Sequence, residues 1–219
     1  MTAAALCDSF PTPSKKKFGA PSNQALAFLD TIDSNWKENE SFALWLVQRK
    51  KPKTIVDLGF DRGLSTIAFA YRNLGHVFGI DWFEAGNYAE KSFALDSAFR
   101  NISQAIRLNY VKNIHLIIGP FCDVSKNWKK KIDVLHIDSA STYASAKSHY
   151  EDWIQYLQPD GIILINDILS CPQETGRFFH QISFPKIILS EGRGLGIATQ
   201  NEPLLQEIQK QFMPRPVRL

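Results

Sequence analysis

The chain has 219 residues, of which 44% are hydrophobic and 21% are charged, and its formal net charge is +3. This length suits one domain with a full sheet core, and this composition is that of an ordinary soluble globular protein. The small net charge gives no argument for nucleic acid as a partner, and no apolar stretch is long enough to predict a membrane-spanning helix.

The cysteines and the first residues of the chain indicate in which cellular compartment the protein is expected. The three cysteines, Cys7, Cys122 and Cys171, are few, odd in number and without metal-ligand spacing. They favour free thiols in a reducing compartment over a disulfide framework. The apolar start of the chain has no preceding basic region and is short for a signal core, so we expect a cytoplasmic protein.

Residues 1–22 differ in composition from the rest of the chain. They contain three prolines and the run Lys15, Lys16, Lys17, which predicts an irregular N-terminal arm. We therefore place a single domain at residues 23–219. Asn39 is the predicted N-cap of a helix that ends before Pro52 and packs ahead of the first strand.

Seven apolar segments rich in β-branched residues predict strands, at 54–58, 76–80, 114–118, 132–137, 161–166, 184–189 and 194–199. Helical patterns separate the first six, and this alternation predicts an α/β fold with a doubly wound, mostly parallel sheet. Only four residues, Ser190 to Arg193, separate the last two segments, which permits a hairpin but no right-handed crossover. The seventh strand is therefore predicted to run antiparallel to its neighbour.

The first predicted strand leads into a glycine turn within TIVDLGFDRGLS, residues 54–65. Gly59 and Gly63 remove side chains where the backbone must turn, so we expect a ligand to come close. The turn lacks the G-x-G-x-x-G spacing that seats a pyrophosphate. Asp57 and Asp61 would repel a phosphate group but could hold an ammonium group.

Asp81 ends the second predicted strand, where a carboxylate can accept two hydrogen bonds from a ribose diol. The same reasoning serves NAD-binding folds, so Asp81 indicates a nucleoside rather than one particular cofactor. After the third strand, Phe121 or Cys122 could lie against an adenine face. Packing of Phe121 in the core is the alternative interpretation.

The pattern D-x-G-x-x-x-G that begins at Asp57 resembles motif I of class I S-adenosylmethionine (SAM) methyltransferases. HIDSASTY at 136–143, YEDW at 150–153, GIILIND at 161–167 and GRGLG at 192–196 resemble small-molecule O-methyltransferases, a family that includes macrolide-sugar methyltransferases. Asp81 and Trp82, with Gly86, Tyr88 and Glu90, also match that family, and the resemblance covers roughly residues 39–200.

The resemblance implies a Rossmann-like sheet of six parallel strands and one reversed strand, with SAM as the cofactor. The implied cofactor-binding residues are Asp57, Gly59, Asp61, Gly63, Ser65, Asp81, Trp82, Phe121 and Asp138. They follow the strands whose ends would share one edge of the sheet, where open α/β sheets bind ligands.

Asp138, Asn166 and Asp167 are the candidate catalytic residues, because they follow two adjacent central strands. In related sugar methyltransferases, the acid matching Asp138 and an acidic pair after the next strand hold Mg²⁺. Here Asn166 replaces one acid but still offers a carbonyl oxygen, so we expect weaker Mg²⁺ binding and leave the need for a metal open. The family places a basic side chain where this chain has Ser141, which leaves the general base open as well.

Without a metal, Asp138 or Asp167 could accept the proton of the methylated group, provided that burial raises its pKa. His149 is a second candidate base, although a solvated or helix-packing histidine is the favoured interpretation. His136 lies inside the fourth predicted strand and is interpreted as a hydrogen-bonded core histidine.

Trp82, Phe83 and Tyr88 could form an apolar platform for a sugar ring, with Glu84 hydrogen-bonding its hydroxyl groups. A packed loop is the alternative. The sequence thus predicts a SAM-dependent O-methyltransferase acting on a sugar or a glycosylated small molecule. A phenolic or catechol-type acceptor and a SAM-binding module without catalysis stay open. The run Asn166-Asp167-Ile168 differs from the N-P-P-Y-like ending of nucleic-acid amino-methyltransferases.

Overall fold

The computed structural model describes residues 23–83 and 88–213. Its helices are α1 (Asn23–Asp30), α2 (Glu40–Lys50), α3 (Leu64–Ala70), α4 (Tyr88–Arg107), α5 (Phe121–Lys126), α6 (Tyr143–Ile154), α7 (Arg177–Gln181) and α8 (Glu202–Phe212). A 3₁₀ turn (Lys37–Asn39) precedes α2, and a π-helical turn (Pro172–Gly176) precedes α7. Across these two ranges, none of the helices combines the length and the apolarity that crossing a membrane requires. The predicted arm at residues 1–22 lies outside the described residues.

The strands are β1 (Thr54–Leu58), β2 (His76–Asp81), β3 (Ile114–Ile118), β4 (Ile132–Ile137), β5 (Leu157–Ile165), β6 (Lys186–Leu189) and β7 (Leu195–Thr199). They form one sheet in the order β3-β2-β1-β4-β5-β7-β6. The pairs from β3 through β5 are parallel, whereas β7 is antiparallel to both β5 and β6. This arrangement confirms the predicted Rossmann-like sheet, including the reversed seventh strand.

Strand β5 begins earlier than the sequence predicts. Leu157 already pairs with Ile132 of β4, and the register then shifts before Val134 pairs with Ile162. The exposed residues Pro159 and Asp160 lie in the irregular stretch, which is why the apolar pattern starts only at residue 161.

The core lies on both faces of the sheet, because successive residues of each strand point to opposite sides. Ile55 of β1 packs with Trp36 and Phe69 on the side of α1, α2, α3 and α8. Val56 and its neighbours pack with Trp153 on the side of α5, α6 and α7. Coverage on both faces explains the continuous apolar runs of the central strands.

The starts of two helices are built differently. Asn39 occupies the N-cap position of α2, but its side chain makes no capping hydrogen bond, so this part of the prediction is wrong. Asn39 ends the 3₁₀ turn with φ −90° and ψ −4°, a helical conformation instead of the extended one in which a side chain caps the following helix. Helix α6 begins with a capping box, in which Thr142 Oγ1 accepts a 3.1 Å hydrogen bond from the Ser145 amide. This cap fixes the chain that leaves β4.

Candidate active site

A cavity of about 830 Å³ lies outside the carboxyl ends of β1, β2, β4 and β5. Of the residues proposed from the sequence, its walls include Gly59, Asp61, Asp81, Trp82, Phe121, Asp138 and Asp167. Four others do not line it, namely Asp57, Gly63, Ser65 and Asn166. The crevice outside strand ends is where open α/β sheets bind ligands, so the cavity is the candidate active site.

Gly59 is required by the close approach of two chain segments. Its φ is +87°, and a Cβ placed there would lie 2.9 Å from the backbone of Asp138 and Ser139. Its amide donates a 2.8 Å hydrogen bond to the Ile80 carbonyl. The sequence predicts that a ligand makes this close approach, whereas in the structure the backbone that follows β4 does so. The absent side chain thereby brings the ends of β1, β2 and β4 together.

Asp57 supports the site from the core instead of facing the cavity. Its fully buried carboxylate accepts hydrogen bonds from Ser65 Oγ at 2.8 Å, from Thr66 Oγ1 and from His136 Nδ1 at 2.6 Å. These partners tie the end of β1 to α3 and β4. The sequence predicts that Asp57 and Ser65 contact the cofactor directly. In the structure, the hydrogen-bond partners of Asp57 turn its carboxylate into the core, where it cannot hold a ligand ammonium group.

His136 completes the same buried network, which confirms its interpretation as a hydrogen-bonded core histidine. The Trp36 indole Nε1–H donates to His136 Nε2 at 3.1 Å. An indole is only a donor, so Nε2 carries no proton, and the Nδ1–H donates to Asp57. Trp36 thus selects the tautomer with its proton on Nδ1, and although burial disfavours the charged ring, the hydrogen bond and charge of Asp57 raise the pKa of His136.

Gly63 is also required by the conformation of the backbone. It occupies the N-cap position of α3 with a φ of +90°, and a Cβ there would lie 3.1 Å from the side chain of Ile102. The residue lets the chain turn from the glycine loop into the helix. Its role in the structure is to shape the loop, and it does not line the cavity.

Asp81 is held by the backbone of two neighbouring loops. Its Oδ1 accepts a 2.8 Å hydrogen bond from the Phe83 amide, and its Oδ2 accepts one of 3.1 Å from the Asp61 amide. Phe83 and Asp61 both have positive φ, a conformation that directs these amides toward the carboxylate. Burial raises the pKa of Asp81. Each carboxylate oxygen still has acceptor capacity for a ligand hydroxyl group.

Aromatic side chains form two parts of the wall. Trp82 is 46% exposed and Phe93 is 57% exposed, although both belong to the cavity lining. Phe83 also lines the cavity, and its ring packs edge-on against Phe60. Glu84 and Gly86 lie outside the described residues, as does the side chain of Tyr88. The sequence reasoning missed Phe93, which lies one helical turn beyond the predicted platform.

Phe121 and His149 form the opposite wall. Their ring centroids are 4.8 Å apart, and His149 Nδ1 lies 3.0 Å from Ser139 Oγ. Burial lowers the pKa of His149, which favours the neutral ring. His149 of α6 packs edge-on against Phe121 of α5, as the helix-packing interpretation expects, and it also belongs to the cavity lining.

Asp138 lies where β4 enters the cavity. Its amide donates to the Leu58 carbonyl at 2.8 Å, and its Oδ1 accepts a 2.8 Å hydrogen bond from Asn166 Nδ2. Burial raises the pKa of Asp138 from its ordinary 3.8 to about 7, with the charge of Asp167 adding to the effect. A carboxylate with this pKa can exchange a proton near neutral pH.

Asp167 is bound by an arginine from a distant part of the chain. Arg193 donates from Nε to Asp167 Oδ1 at 2.5 Å and from Nη2 to Oδ2 at 3.0 Å. Both carboxylate oxygens are therefore engaged, which argues against Asp167 as a free proton acceptor. The ion pair raises the pKa of Arg193. The glycine-rich run at 192–196 hinted at this turn, but nothing in the pattern indicated the partner of Arg193.

The residues around Asp138 do not fit a Mg²⁺ site as they are arranged. Asn166 directs its NH₂ group to Asp138 and, at 3.4 Å, to Asp167, while its buried Oδ1 has no hydrogen-bond partner. The sequence predicts that Asn166 offers a carbonyl oxygen to the metal, whereas in this structure the amide turns its NH₂ group, and not that oxygen, toward the two carboxylates. Within residues 23–83 and 88–213, no group of three or more His, Cys, Asp or Glu side chains could hold a metal.

The fold and the cavity define an α/β protein that binds a ligand across the ends of its parallel strands. A family model described as "Methyltransferase domain" matches residues 56–168, which is more than half of the chain. The chain therefore belongs to this methyltransferase family.

Solved structures with the same fold include enzymes crystallised with cofactor or product. The O-methyltransferase TomG from Streptomyces achromogenes, in complex with SAM, is 14% identical, with a TM-score of 0.61 over 82% of this chain and 90% of that chain. The O-methyltransferase from Bacillus cereus, in complex with SAH, is 18% identical, with a TM-score of 0.58 over 82% and 92%. SAH-bound PaMTH1 from Podospora anserina is 15% identical, with a TM-score of 0.61 over 84% and 90%.

A curated relative, "Uncharacterized protein y4gI" from Sinorhizobium fredii, is 27% identical over 140 residues. The match covers 61% of this chain but only 15% of that protein, so the chain spans a small part of the relative's length.

Proposed function

We propose that the chain is a SAM-dependent O-methyltransferase that methylates a hydroxyl group of a sugar or a glycosylated small molecule. The observation that carries the proposal is Asp138, a carboxylate in the cavity wall whose pKa is raised to about 7. Membership of the methyltransferase family supports the reaction class. Structural neighbours that contain SAM or SAH support the cofactor.

The cavity residues suit SAM in three places. Asp81 would accept hydrogen bonds from the ribose hydroxyl groups, because each of its oxygens already has one backbone donor and room for another. Trp82 and Phe121 would contact the adenine ring. Gly59 and Asp61 also line the cavity and would border the amino-acid part of SAM. When bound, SAM supplies an electrophilic methyl group.

Asp138 would hold the acceptor hydroxyl group and take its proton. An alcohol is a weak nucleophile until that proton is removed, and a base with a pKa near the working pH removes it most effectively. The Asn166 amide donates to one oxygen of Asp138 and so fixes its orientation. Asp167, neutralised by Arg193, would border the same acceptor without competing for the proton.

A sugar acceptor is supported by the sequence resemblance and by the hydroxyl-bearing wall that α6 and the residues just before it form. Ser141, Ser145 and Ser148 line the cavity, together with Asp152, and can exchange hydrogen bonds with sugar hydroxyl groups.

A phenolic acceptor is the second candidate. Phe93 is an exposed ring in the cavity lining, and an exposed aromatic ring suits a flat aromatic acceptor. The same Asp138 would then take a phenolic proton, which is easier to remove.

The test is to incubate the chain with methyl-labelled SAM and separate panels of sugars, glycosides, phenols and RNA. Label on a sugar hydroxyl oxygen supports the proposal, provided that Asp138→Asn abolishes the transfer. Label on a phenol alone would favour the second candidate. Tight SAM binding by calorimetry with no labelled product from any panel would instead identify a binding module and overturn the proposal.

A further inference from the structure

Two turns of the chain are locked together beside Asp138. The Ile168 amide donates to the Gly194 carbonyl at 3.1 Å, and the Leu169 and Ser170 amides donate to the Arg193 carbonyl at 3.0 and 3.2 Å. The Arg193 side chain then forms its two hydrogen bonds with Asp167. The turn between β6 and β7 thus holds the turn after β5 through both backbone and side chain.

The backbone at this junction is shaped to present the ion pair. Asp167 has a φ of +64°, although it carries a side chain, and Gly194 has a φ of +84°. A Cβ on Gly194 would lie 2.5 Å from the side chain of Leu169. A non-glycine residue in the left-handed region is uncommon and persists where its surroundings hold it. Here Arg193 holds Asp167 through hydrogen bonds to both of its carboxylate oxygens.

The charges at this edge of the sheet explain why a cation is needed. Asp138 and Asp167 follow neighbouring strands, and the charge of Asp167 adds to the burial that raises the pKa of Asp138. Two carboxylates that share a site repel one another unless positive charge lies nearby. Asn166 contributes an NH₂ group to both, and Arg193 contributes a full charge to Asp167.

We infer that Arg193 is the resident cation of this site and occupies, on Asp167, the position that a divalent metal would need. The guanidinium engages both oxygens of Asp167 in the bidentate geometry that matches a carboxylate, leaving Asp138 as the member of this pair that is not bound by a cation. Arg193 is a positioning residue that acts through Asp167. The inference rests on the proposed function only for its catalytic consequence, which is methyl transfer that needs no added metal.

The test is a titration of the chain with Mn²⁺, in which the electron paramagnetic resonance signal reports the concentration of free Mn²⁺. The experiment requires neither a methyl acceptor nor methyltransferase activity. Wild-type chain is expected to show no binding that depends on Asp138. In Arg193→Gln, both carboxylates lose their cation, and we expect one Mn²⁺ per chain to bind about tenfold tighter or more than to wild type. Adding Asp167→Asn to that variant should remove the gain.

Two control variants separate the charge of Arg193 from its structural role. Arg193→Lys keeps the positive charge and should stay as insensitive to Mn²⁺ as wild type. Arg49→Gln removes the arginine of another bidentate pair, with Glu207, away from the cavity, and should bind no additional Mn²⁺.

Mn²⁺ binding to the wild type that disappears in Asp138→Asn would overturn the inference, and so would an Arg193→Gln variant that gains no Mn²⁺. The wild-type titration alone decides the matter if Arg193→Gln fails to fold. A methyltransferase assay that failed with every acceptor would leave these outcomes unchanged, so the inference and the proposed function can fail separately.

Discussion

Replacing Asp138 with asparagine should reduce turnover while making the folded chain more stable. The variant keeps the size of the side chain but cannot accept a proton. Turnover should fall by about 10²- to 10⁴-fold, the usual contribution of a positioned general base, whereas SAM affinity should change little. The wild-type rate should itself fall about tenfold per pH unit below pH 7, because a protonated Asp138 cannot act as a base.

The gain in stability follows from the pKa of Asp138, which burial raises from 3.8 to about 7. Between these values the folded chain binds a proton that the unfolded chain releases, so wild-type stability falls as the pH rises through this window. At 1.36 kcal/mol per pKa unit, the largest possible cost is about 4 kcal/mol. Water in the open cavity screens the charge, so we expect Asp138→Asn to gain about 1 to 2 kcal/mol at pH 8.

Urea denaturation at pH 8 and pH 4 measures this gain directly, because it should be present at pH 8 and absent at pH 4. Asp152→Asn is a matched control, since it makes the same change at another point of the cavity wall. It should alter neither stability nor the pH profile in this way. A variant at Asp138 that is less stable at pH 8 and keeps its turnover would refute the reasoning.

Three further changes test other parts of the site. Asp81→Ala should weaken SAM binding by about 1 to 3 kcal/mol, and unchanged calorimetric affinity would remove Asp81 from the site. Trp36→Phe leaves the buried Nε2 of His136 without its donor and should lower the free energy of unfolding by about 1 to 3 kcal/mol; a urea midpoint equal to that of wild type would contradict the network. Gly59→Ala should cost more than about 1 kcal/mol, because its φ is positive and its Cβ meets backbone, whereas Gly119→Ala has space and should cost less; equal thermal shifts would argue against this packing.

The sheet could be predicted well because its central strands are covered on both faces. Such strands appear as short apolar runs bounded by turns, and the five-residue loop at 190–194 permits only a hairpin between β6 and β7. The early start of β5 was not visible, because Pro159 and Asp160 break the apolar pattern while Leu157 pairs across the sheet. Pairing of that kind depends on the neighbouring strand and not on local sequence.

From the sequence, only those site residues could be predicted whose position is determined by the end of a strand. Asp81, Asp138 and Asp167 reach the cavity because parallel strands bring their carboxyl ends to one edge. The direction of the Asp57 carboxylate was not predictable, since it is set by partners on α3 and β4. The Arg193 pairing with Asp167 likewise joins two turns that are distant in sequence.

The most direct measurement is a crystal structure of the chain with SAH and an acceptor identified in the labelling experiment. We predict that the ribose hydroxyl groups of SAH donate hydrogen bonds to Asp81 and that its sulfur atom is directed toward Asp138. The acceptor oxygen should lie within hydrogen-bond distance of the Asp138 carboxylate. SAH bound outside this cavity, or an acceptor oxygen that contacts neither carboxylate oxygen of Asp138, would contradict the proposed chemistry.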